Sequence, residues 1–498
     1  MTCESLRKGI ASDIIAKYIP APPAARKSRI LFFSVAISIH FDWRQARQMN
    51  EKISSLTREY LDADNYELIC APEPFEDHRQ LEAFLNRESA DGVDGIIIYH
   101  AAYTTGEIAS TLGAWLQRRQ VPLFSYAMPE PGGANLTANR LCSQNFVLGI
   151  LNHLGVKYQW LFCNEEDARF RTHLQCFARA ARAIGNLRGR KALIAGAGRV
   201  PGFYDCEVNE LEVLKRYQLG FDRVNLVDIT SRMNDFSAEA IAEIVAAIQH
   251  DPDCGFNNVP DQQFADSVRL ALALMTVARE GNYLGISFKN WPELFDHFQI
   301  AGDGAMALVN DQGIPISDEA DTGALISMLV LQQLQGESCV PLLSDISSLS
   351  EETNRFGLWH NGSGATRWLK QGSKFECRRH GILENYDPQT AWGVVFEFLL
   401  QPGPVTIVRY MSPDAASAVC FEGDIVDSGM MFRGTYGEVV PRGPTASQII
   451  GTIMDRGLDH HWMAARGHFK ADIDALNYFL GVCEIALDNP GGNAGFGR

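Results

Sequence analysis

The first third of the chain alternates short apolar runs with amphipathic segments. Strands that are apolar throughout, and not alternately apolar and polar, are typical of a parallel sheet that helices cover on both faces. The pattern therefore predicts a doubly wound α/β domain over residues 1–165. Its apolar runs lie at 29–37, 66–72, 93–102 and 121–129, and its amphipathic segments at 42–61, 78–88 and 105–119.

A second set of alternating segments follows a helical stretch at 165–187, and the pattern changes again near residue 340. Residues 166–340 are predicted to form a second doubly wound αβα domain. Residues 341–498 contain apolar runs separated by Pro, Gly and Asp, which indicates antiparallel strands. The predicted fold class is α/β: two doubly wound αβα domains followed by a C-terminal antiparallel β-rich domain.

The segment ISDEADTGALISMLVLQQLQ at 316–335 is almost entirely apolar but begins with three acidic residues. We predict a buried helix with Asp318, Glu319 and Asp321 in its first turn. There the positive end of the helix dipole stabilises a carboxylate by about 0.3–1 kcal/mol. The dipole does not explain why carboxylates enter a buried region, where an unpaired charge is costly. The segment is therefore a candidate source of a functional acid.

Charge and cysteine content restrict the class of protein. The chain has 44 basic and 60 acidic residues and a net charge of −16, which disfavours nucleic acid and anionic membranes as partners. Its apolar run at 30–39 is shorter than the ~20 residues that span a bilayer, and no secretory signal is evident near residue 1. Eleven scattered cysteines without a C-x-x-C pair indicate neither a disulfide framework nor a structural zinc site. We expect a cytoplasmic protein.

The Gly-rich stretch AGAGRVPGFYD at 195–205 follows a predicted strand, as a dinucleotide-binding loop would. Its glycines do not fit the spacing G-x-G-x-x-G, and Pro201 delays the next helix. We interpret this stretch as an ordinary strand-to-helix loop.

Histidines in two later segments are candidate metal ligands, because neutral imidazole is the commonest transition-metal ligand. His360 lies in GLWHNGSGATRW, and His460 and His461 lie in RGLDHHWMAARGHF. Adjacent residues of a strand face opposite sides, so at most one of His460 and His461 is expected to point inward. Together with the acids at 318–321 and Asp345, such a histidine would suit a divalent metal such as Mn²⁺.

Several separate motifs resemble the L-fucose isomerase and L-arabinose isomerase superfamily. The resemblance covers roughly residues 190–485 and implies two αβα domains, a C-terminal β-rich domain, and aldose–ketose isomerase activity on a free monosaccharide. It also implies a homo-oligomer, a hexamer. The motifs, in chain order, are GISFKNWPELFDHF, GDGAMALVNDQGIPISDEADTGALISMLVLQQLQG, PLLSDIS, LWHNGSGA, PGPVTIVRY and GLDHHWMAARGHF.

The resemblance also implies roles for individual residues. Glu319, Asp345 and His461 are expected to bind Mn²⁺. Glu319 and Asp345 are also expected to be the catalytic acid and base that act through an enediolate intermediate. The sequence does not show which of the two carboxylates is the acid and which is the base.

Four further residues are candidates around this centre. His360 and His460 are candidates for an additional ligand of metal or substrate, and Trp291 and Asn361 are expected to bind the sugar. Asn361 stands where related sequences often carry Cys, a difference that could alter the sugar accepted. The sequence leaves two alternatives open: a metal-dependent sugar epimerase or aldolase, and a non-catalytic sugar-binding protein. L-Fucose, D-arabinose, L-arabinose and an unusual sugar derivative all remain candidate substrates.

Overall fold

The computed structural model describes residues 7–24, 26–133, 135–336, 338–386 and 391–487. These residues fall into two compact units. The first unit comprises the described residues of 24–186 and 471–481, and the second comprises those of 1–23, 187–470 and 482–498. No helix within these described ranges is long and apolar enough to cross a membrane. The domain boundaries at 165 and 340 remain predictions.

The described residues form nineteen strands. They are β1 (Ser28–Val35), β2 (Tyr66–Cys70), β3 (Gly95–His100), β4 (Leu123–Ala127), β5 (Gln159–Phe162), β6 (Lys191–Ala195), β7 (Gly220–Val224), β8 (Cys254–Asn257), β9 (Ile286–Phe288), β10 (Ile316–Ser317), β11 (Leu342–Ser350), β12 (Arg355–His360), β13 (Phe375–Arg379), β14 (Gly393–Leu399), β15 (Gly403–Tyr410), β16 (Ser417–Val426), β17 (Thr435–Arg442), β18 (His461–Arg466) and β19 (Cys483–Glu484).

Fifteen α-helices occur in the same described ranges. They are α1 (Ser12–Ile15), α2 (Trp43–Tyr60), α3 (His78–Glu88), α4 (Gly106–Arg119), α5 (Arg140–His153), α6 (Ala168–Leu187), α7 (Glu210–Tyr217), α8 (Leu226–Arg232), α9 (Ala238–Gln249), α10 (Asp261–Glu280), α11 (Asp303–Asp311), α12 (Thr322–Gln335), α13 (Gly381–Tyr386), α14 (Ala446–Arg456) and α15 (Lys470–Leu480).

The first unit contains one parallel five-stranded sheet with the order β2-β1-β3-β4-β5. All six residues of β3, at the centre of this sheet, are buried. This order is one of the two common orders of doubly wound folds. Strands buried on both faces account for the continuous apolar runs in the sequence.

The second unit contains a parallel sheet with the order β10-β9-β6-β7 and a larger ten-stranded sheet. In the larger sheet β16 pairs with both β15 and β17, which closes β11, β12 and β15–β18 into a ring of six antiparallel strands. The predicted combination of α/β domains and a β-rich part is confirmed. The large sheet is mixed, however, because β8–β13, β14–β17 and β16–β19 pair in parallel.

The helix predicted over 316–335 begins only at Thr322. Residues Ile316–Ser317 form the short strand β10 instead, and Glu319 and Ala320 have left-handed backbone conformations with φ of 60° and 57°. Asp321 is the N-cap of α12, and its side chain accepts a hydrogen bond from the backbone N–H of Ala324. The hydrophobic pattern misplaced this boundary because α12 is buried nearly all round and therefore has no polar face to mark its period.

Candidate active site

Three neighbouring strands of the ring bring an acid and two histidines to one end of it. Asp345 on β11 lies directly opposite His461, the first residue of β18, and opposite Trp359 on β12. His360 follows Trp359 and is the last residue of β12. Opposed residues of antiparallel strands have neighbouring side chains, so the register places Asp345 and His461 side by side.

Glu319 reaches the same place from the loop between β10 and α12. The left-handed conformation of Glu319 and Ala320 is held by two hydrogen bonds: the Glu319 N–H donates to Asp318 Oδ1 (2.7 Å), and the Ala320 N–H donates to the Phe288 carbonyl (2.9 Å). For non-glycine residues this conformation costs roughly 1–3 kcal/mol and is concentrated at functional sites. This conformation prevents the helix from starting before Thr322, so Glu319 lies outside α12.

Glu319 and Asp345 both approach the side chain of His461. His461 Nε2 lies 3.2 Å from Glu319 Oε2 and 3.8 Å from Asp345 Oδ1. Glu319, His360 and His461 each offer one ligand atom, and these three atoms lie within 4.8 Å of one another. Asp345 Oδ1 is buried and has no hydrogen-bond partner among the described residues. Two carboxylates and two imidazoles form a donor set that fits a divalent transition metal.

The surroundings of Glu319 and His461 favour a negative charge on Glu319 and a positive charge on His461. Burial raises the pKa of Glu319, but the imidazoles of His460 and His461 outweigh burial and hold this pKa well below its usual value. Burial lowers the pKa of His461, but the carboxylates of Asp321 and Glu319 outweigh burial and raise it above its usual value. Glu319 is therefore an anion that attracts positive charge to this position.

His360 lies between two carboxylate groups. Its ring centroid is 5.5 Å from that of His461, and its Nδ1 is 3.2 Å from Ser363 Oγ and 3.6 Å from Asp318 Oδ2. Asp303, Asp318 and His360 form a second buried cluster of ligand atoms. Burial raises the pKa of Asp303 to about 7. His360 therefore contacts both the Glu319–His461 pair and a buried acidic pair.

His460 also reaches Glu319, although only one of the two adjacent histidines was expected to point inward. Its Nε2 lies 3.7 Å from Glu319 Oε2, and its Nδ1 lies 2.6 Å from Asp205 Oδ2. Only His461 is buried, with 1% of its side chain exposed against 40% for His460, but His460 precedes β18, where the alternation of strand side chains does not fix its direction. Hydrogen bonding to Asp205 and Glu319, acting against burial, raises the pKa of His460 to about 10.

The two residues expected to bind sugar have different surroundings. Trp291 Nε1 donates a hydrogen bond to Glu319 Oε1 (3.2 Å), and the ring of Phe203 meets Trp291 edge-on at 5.4 Å. Asn361 follows His360 and is buried, and its Nδ2 has no hydrogen-bond partner in the described part of the chain. The geometry places Trp291 at the carboxylate of Glu319, and sugar binding by both residues stays a prediction.

Several residues that support this site were not identified from the sequence. Phe203 contacts the rings of Trp291 and His460, and Asp205 binds His460, so the Gly-rich loop at 195–205 contributes to the site. Arg409 is fully buried and binds Asp321 at 2.7 Å. A single arginine inside the apolar run VTIVRYM at 405–411 was the available signal, because a buried charge requires an ionic partner.

Asp318 and Asp321 are not ordinary first-turn acids, contrary to the sequence-based expectation. Both precede α12 and are buried, with exposed fractions of 2% and 0%. Asp321 Oδ2 accepts hydrogen bonds from His461 Nδ1 (2.8 Å) and Arg409 Nη1 (2.7 Å). Asp321 therefore contacts a predicted metal ligand directly.

Comparison with known proteins gives two relatives of low identity and high coverage. A sulfoquinovose isomerase of Alkalicoccus urumqiensis is 24% identical over 424 residues, which is 84% of this chain and 90% of the relative. A sulfoquinovose isomerase of Clostridium sp. strain MSTE9 is 22% identical over 388 residues, 76% of this chain and 83% of the relative. No protein-family profile matches the chain. The relatives support a sugar isomerase family and indicate an isomerase, as predicted.

Proposed function

We propose that this chain is a metal-dependent aldose–ketose isomerase that acts on a free monosaccharide through an enediolate intermediate. The observation that carries the proposal is that Glu319 Oε2, from a loop, and Asp345 Oδ1, on β11, both lie beside Nε2 of His461 on β18, at 3.2 and 3.8 Å. The names of the two relatives support the same class of reaction independently of this geometry.

Glu319, Asp345 and His461 would hold the metal, and His360 offers a fourth ligand atom. Mixed carboxylate and imidazole ligands suit Mn²⁺, although other divalent transition metals share this preference. When bound, such a cation lowers the pKa of coordinated hydroxyl groups and stabilises negative charge on the sugar oxygens.

The two carboxylates divide the proton transfers between them. Both oxygens of Glu319 are contacted, Oε1 by Trp291 Nε1 and Oε2 by His461. Asp345 Oδ1 has no such partner among the described residues. We assign to Asp345 the removal of the proton at C2 and its return to C1. Glu319 would then orient the hydroxyl groups and assist the proton transfer between O2 and O1.

Sulfoquinovose is the first substrate to test. The two relatives that carry its name align with most of this chain and with most of their own length. Sulfoquinovose is an aldose with a free 2-hydroxyl group, as the proposed proton transfers require, and it differs from glucose by a sulfonate at C6. L-Fucose, L-arabinose and D-arabinose complete the panel as uncharged alternatives.

Proton NMR in D₂O with Mn²⁺ tests the reaction class. We expect a ketose product with solvent deuterium at C1, because proton transfer by a carboxylate allows exchange with water. A C2 epimer would identify an epimerase, and cleavage products would identify an aldolase. No change with any sugar of the panel would contradict the proposed function.

Removal of the metal is expected to abolish turnover. Exhaustive chelation should give inactive protein, and Mn²⁺ should restore activity better than Ca²⁺, because histidine ligands favour a transition metal over a hard oxygen-binding cation. The measurement is turnover against metal content determined by mass spectrometry. Full activity in protein that contains no metal would contradict the mechanism.

A further inference from the structure

Asp321 uses both carboxylate oxygens in a fully buried setting. Oδ1 accepts the backbone N–H of Ala324 at 2.7 Å, which caps α12. Oδ2 accepts hydrogen bonds from His461 Nδ1 at 2.8 Å and from Arg409 Nη1 at 2.7 Å. The exposed fractions of Asp321, Arg409 and His461 are 0%, 0% and 1%. This carboxylate therefore connects a helix N-terminus, a cation and a predicted metal ligand.

Arg409 is held in place by further bonds. Its Nε and Nη2 donate to Asp459 Oδ2 at 3.0 and 2.8 Å, and Nη2 also donates to the Asp205 carbonyl at 3.0 Å. Asp459 accepts two further hydrogen bonds from Ser412, from its backbone N–H (2.8 Å) and its hydroxyl (2.9 Å). A Cβ atom at Gly323 would lie only 2.9 Å from Arg409 Nη2, so the guanidinium occupies space that a side chain would otherwise fill. The position of Asp321 is thus fixed from two sides.

We infer that Asp321 is a positioning residue of the metal site and that Arg409 anchors it; this inference rests on the proposed function. By accepting the Nδ1 proton of His461, Asp321 fixes the tautomer and the ring orientation. The Nε2 lone pair then faces Glu319 and Asp345, where the metal would bind. A carboxylate behind a ligating imidazole also increases the basicity of the ligand, and loss of such a partner typically weakens metal binding by about 10–100-fold.

A purely structural role for Asp321, as a helix cap and ion-pair partner, is the alternative. Asp459 provides the matched control, because it is also buried and also binds Arg409. Asp459 is not bonded to His461 in the described part of the chain, whereas Asp321 is. The two roles therefore predict different results for Asp321→Asn and Asp459→Asn.

The experiment is a Mn²⁺ titration of the full chain followed by electron paramagnetic resonance. We expect Asp321→Asn to weaken Mn²⁺ binding by about 10–100-fold. Asp459→Asn should change it by less than about threefold, because it leaves the partner of His461 in place. Equal effects of the two variants would overturn the inference. A wild-type protein that binds no Mn²⁺ would instead overturn the proposed function on which the inference rests.

A second measurement determines the tautomer in the wild-type protein itself, and a variant is used only to assign the signals. The chain is labelled with ¹⁵N-histidine and loaded with diamagnetic Zn²⁺, and the His461 signals are assigned by their loss in His461→Gln. We expect His461 to carry its proton on Nδ1 and to have a metal-shifted Nε2. A proton on Nε2 in the metal-loaded wild-type protein would overturn the inference.

Discussion

Glu319 and Asp321 are two residues apart and have different surroundings. Glu319 lies in a left-handed turn outside the helix, with 17% of its side chain exposed, and faces His460 and His461. Asp321 is completely buried and bonded to Arg409 and His461. The two acids can therefore have different roles: Glu319 is a predicted metal ligand, and Asp321 is hydrogen-bonded to another predicted ligand, His461.

Glu319→Gln is expected to fold but to lose Mn²⁺ affinity and several orders of magnitude of turnover. The substitution keeps the size of the side chain and removes the charge that attracts the metal. Circular dichroism, metal content and turnover are the measurements. Glu438→Gln on β17, which removes a partly buried carboxylate paired with Arg355, is the control and should retain metal and activity. Near-normal metal content in Glu319→Gln would show that another acid binds the metal.

Asp321→Asn is expected to lower the free energy of unfolding by roughly 3 kcal/mol, because it removes one of the two carboxylates that pair with the buried Arg409 and leaves that charge only partly compensated by Asp459. If Asp321 were only a first-turn acid, the loss would not exceed about 1 kcal/mol. Denaturant unfolding at pH 7 measures the difference. Asp228→Asn, at an exposed helix start in α8, is the control and should show only the small loss. If Asp321→Asn and Asp228→Asn lowered the free energy of unfolding by equally small amounts, the helix-dipole interpretation of Asp321 would be correct.

At the scale of elements, the register of the strands and the position at which α12 begins bring the residues of the candidate active site together. β11 lies between β12 and β18, so Asp345 has a histidine-bearing strand on either side. The start of α12 packs against β15 because Gly323 leaves room for Arg409, whose guanidinium would otherwise meet a Cβ atom. A glycine in a helix is normally unfavourable, and here, as the second residue of α12, it leaves room for the buried ion pair.

Gly323→Ala in α12 is therefore expected to destabilise the chain by about 1–3 kcal/mol, the usual cost of overpacking, although alanine is the better helix former. The matched control is Gly451→Ala in α14, where a Cβ would meet nothing within 4 Å. Gly451→Ala should be neutral or stabilising by up to about 1 kcal/mol. Thermal unfolding of both variants is the measurement, and a stabilised Gly323→Ala would contradict the packing argument.

His100, the last residue of β3, is expected to make the first unit sensitive to acid. It is completely buried between the hydroxyl groups of Ser125 and Ser143, and burial lowers its pKa to about 3. In the unfolded chain histidine has a pKa near 6.5, so below that pH the unfolded state binds a proton that the folded state does not. Protonation of His100 therefore costs no stability well above pH 6.5, and the stability of the folded state declines as the pH falls from there towards 3.

Between pH 7 and pH 5 this proton uptake is expected to cost about 2 kcal/mol of stability. Hydrogen exchange of amides in β3 and α5 measures it within the intact chain. His100→Gln should remove this part of the pH dependence, whereas His173→Gln, at an exposed position of α6, should leave it unchanged. The same pH dependence in His100→Gln and the wild type would show that another group is responsible.

At the scale of the whole molecule, we expect a homo-oligomer, a hexamer as the family resemblance implies. The measurement is sedimentation velocity at several protein concentrations, combined with activity of the separated species. An active monomer would contradict the expectation. The excess of acidic over basic residues, −16 in net charge, would make any such assembly sensitive to salt, because screening weakens repulsion between like charges.

The sequence by itself determined the fold class and most of the elements. Short apolar runs such as the one at 93–102, alternating with amphipathic segments, are typical of strands covered on both faces, so local pattern was sufficient to predict the parallel sheets. Glu319, Asp345 and His461 could be named because a family resemblance supplied the motifs around them. Their mutual distances could not be obtained from the chain, since they are separated by up to 142 positions.

Only the tertiary structure decided how these residues are supported. The helix start at Thr322 depends on the left-handed turn at Glu319 and Ala320, which a buried and uniformly apolar segment does not reveal. The partners of Asp321 come from β15 and β18, so its role depends on a packing arrangement with no local sequence pattern. Hydrophobic periodicity records which face of an element is buried, whereas a polar site depends on which distant side chains meet there.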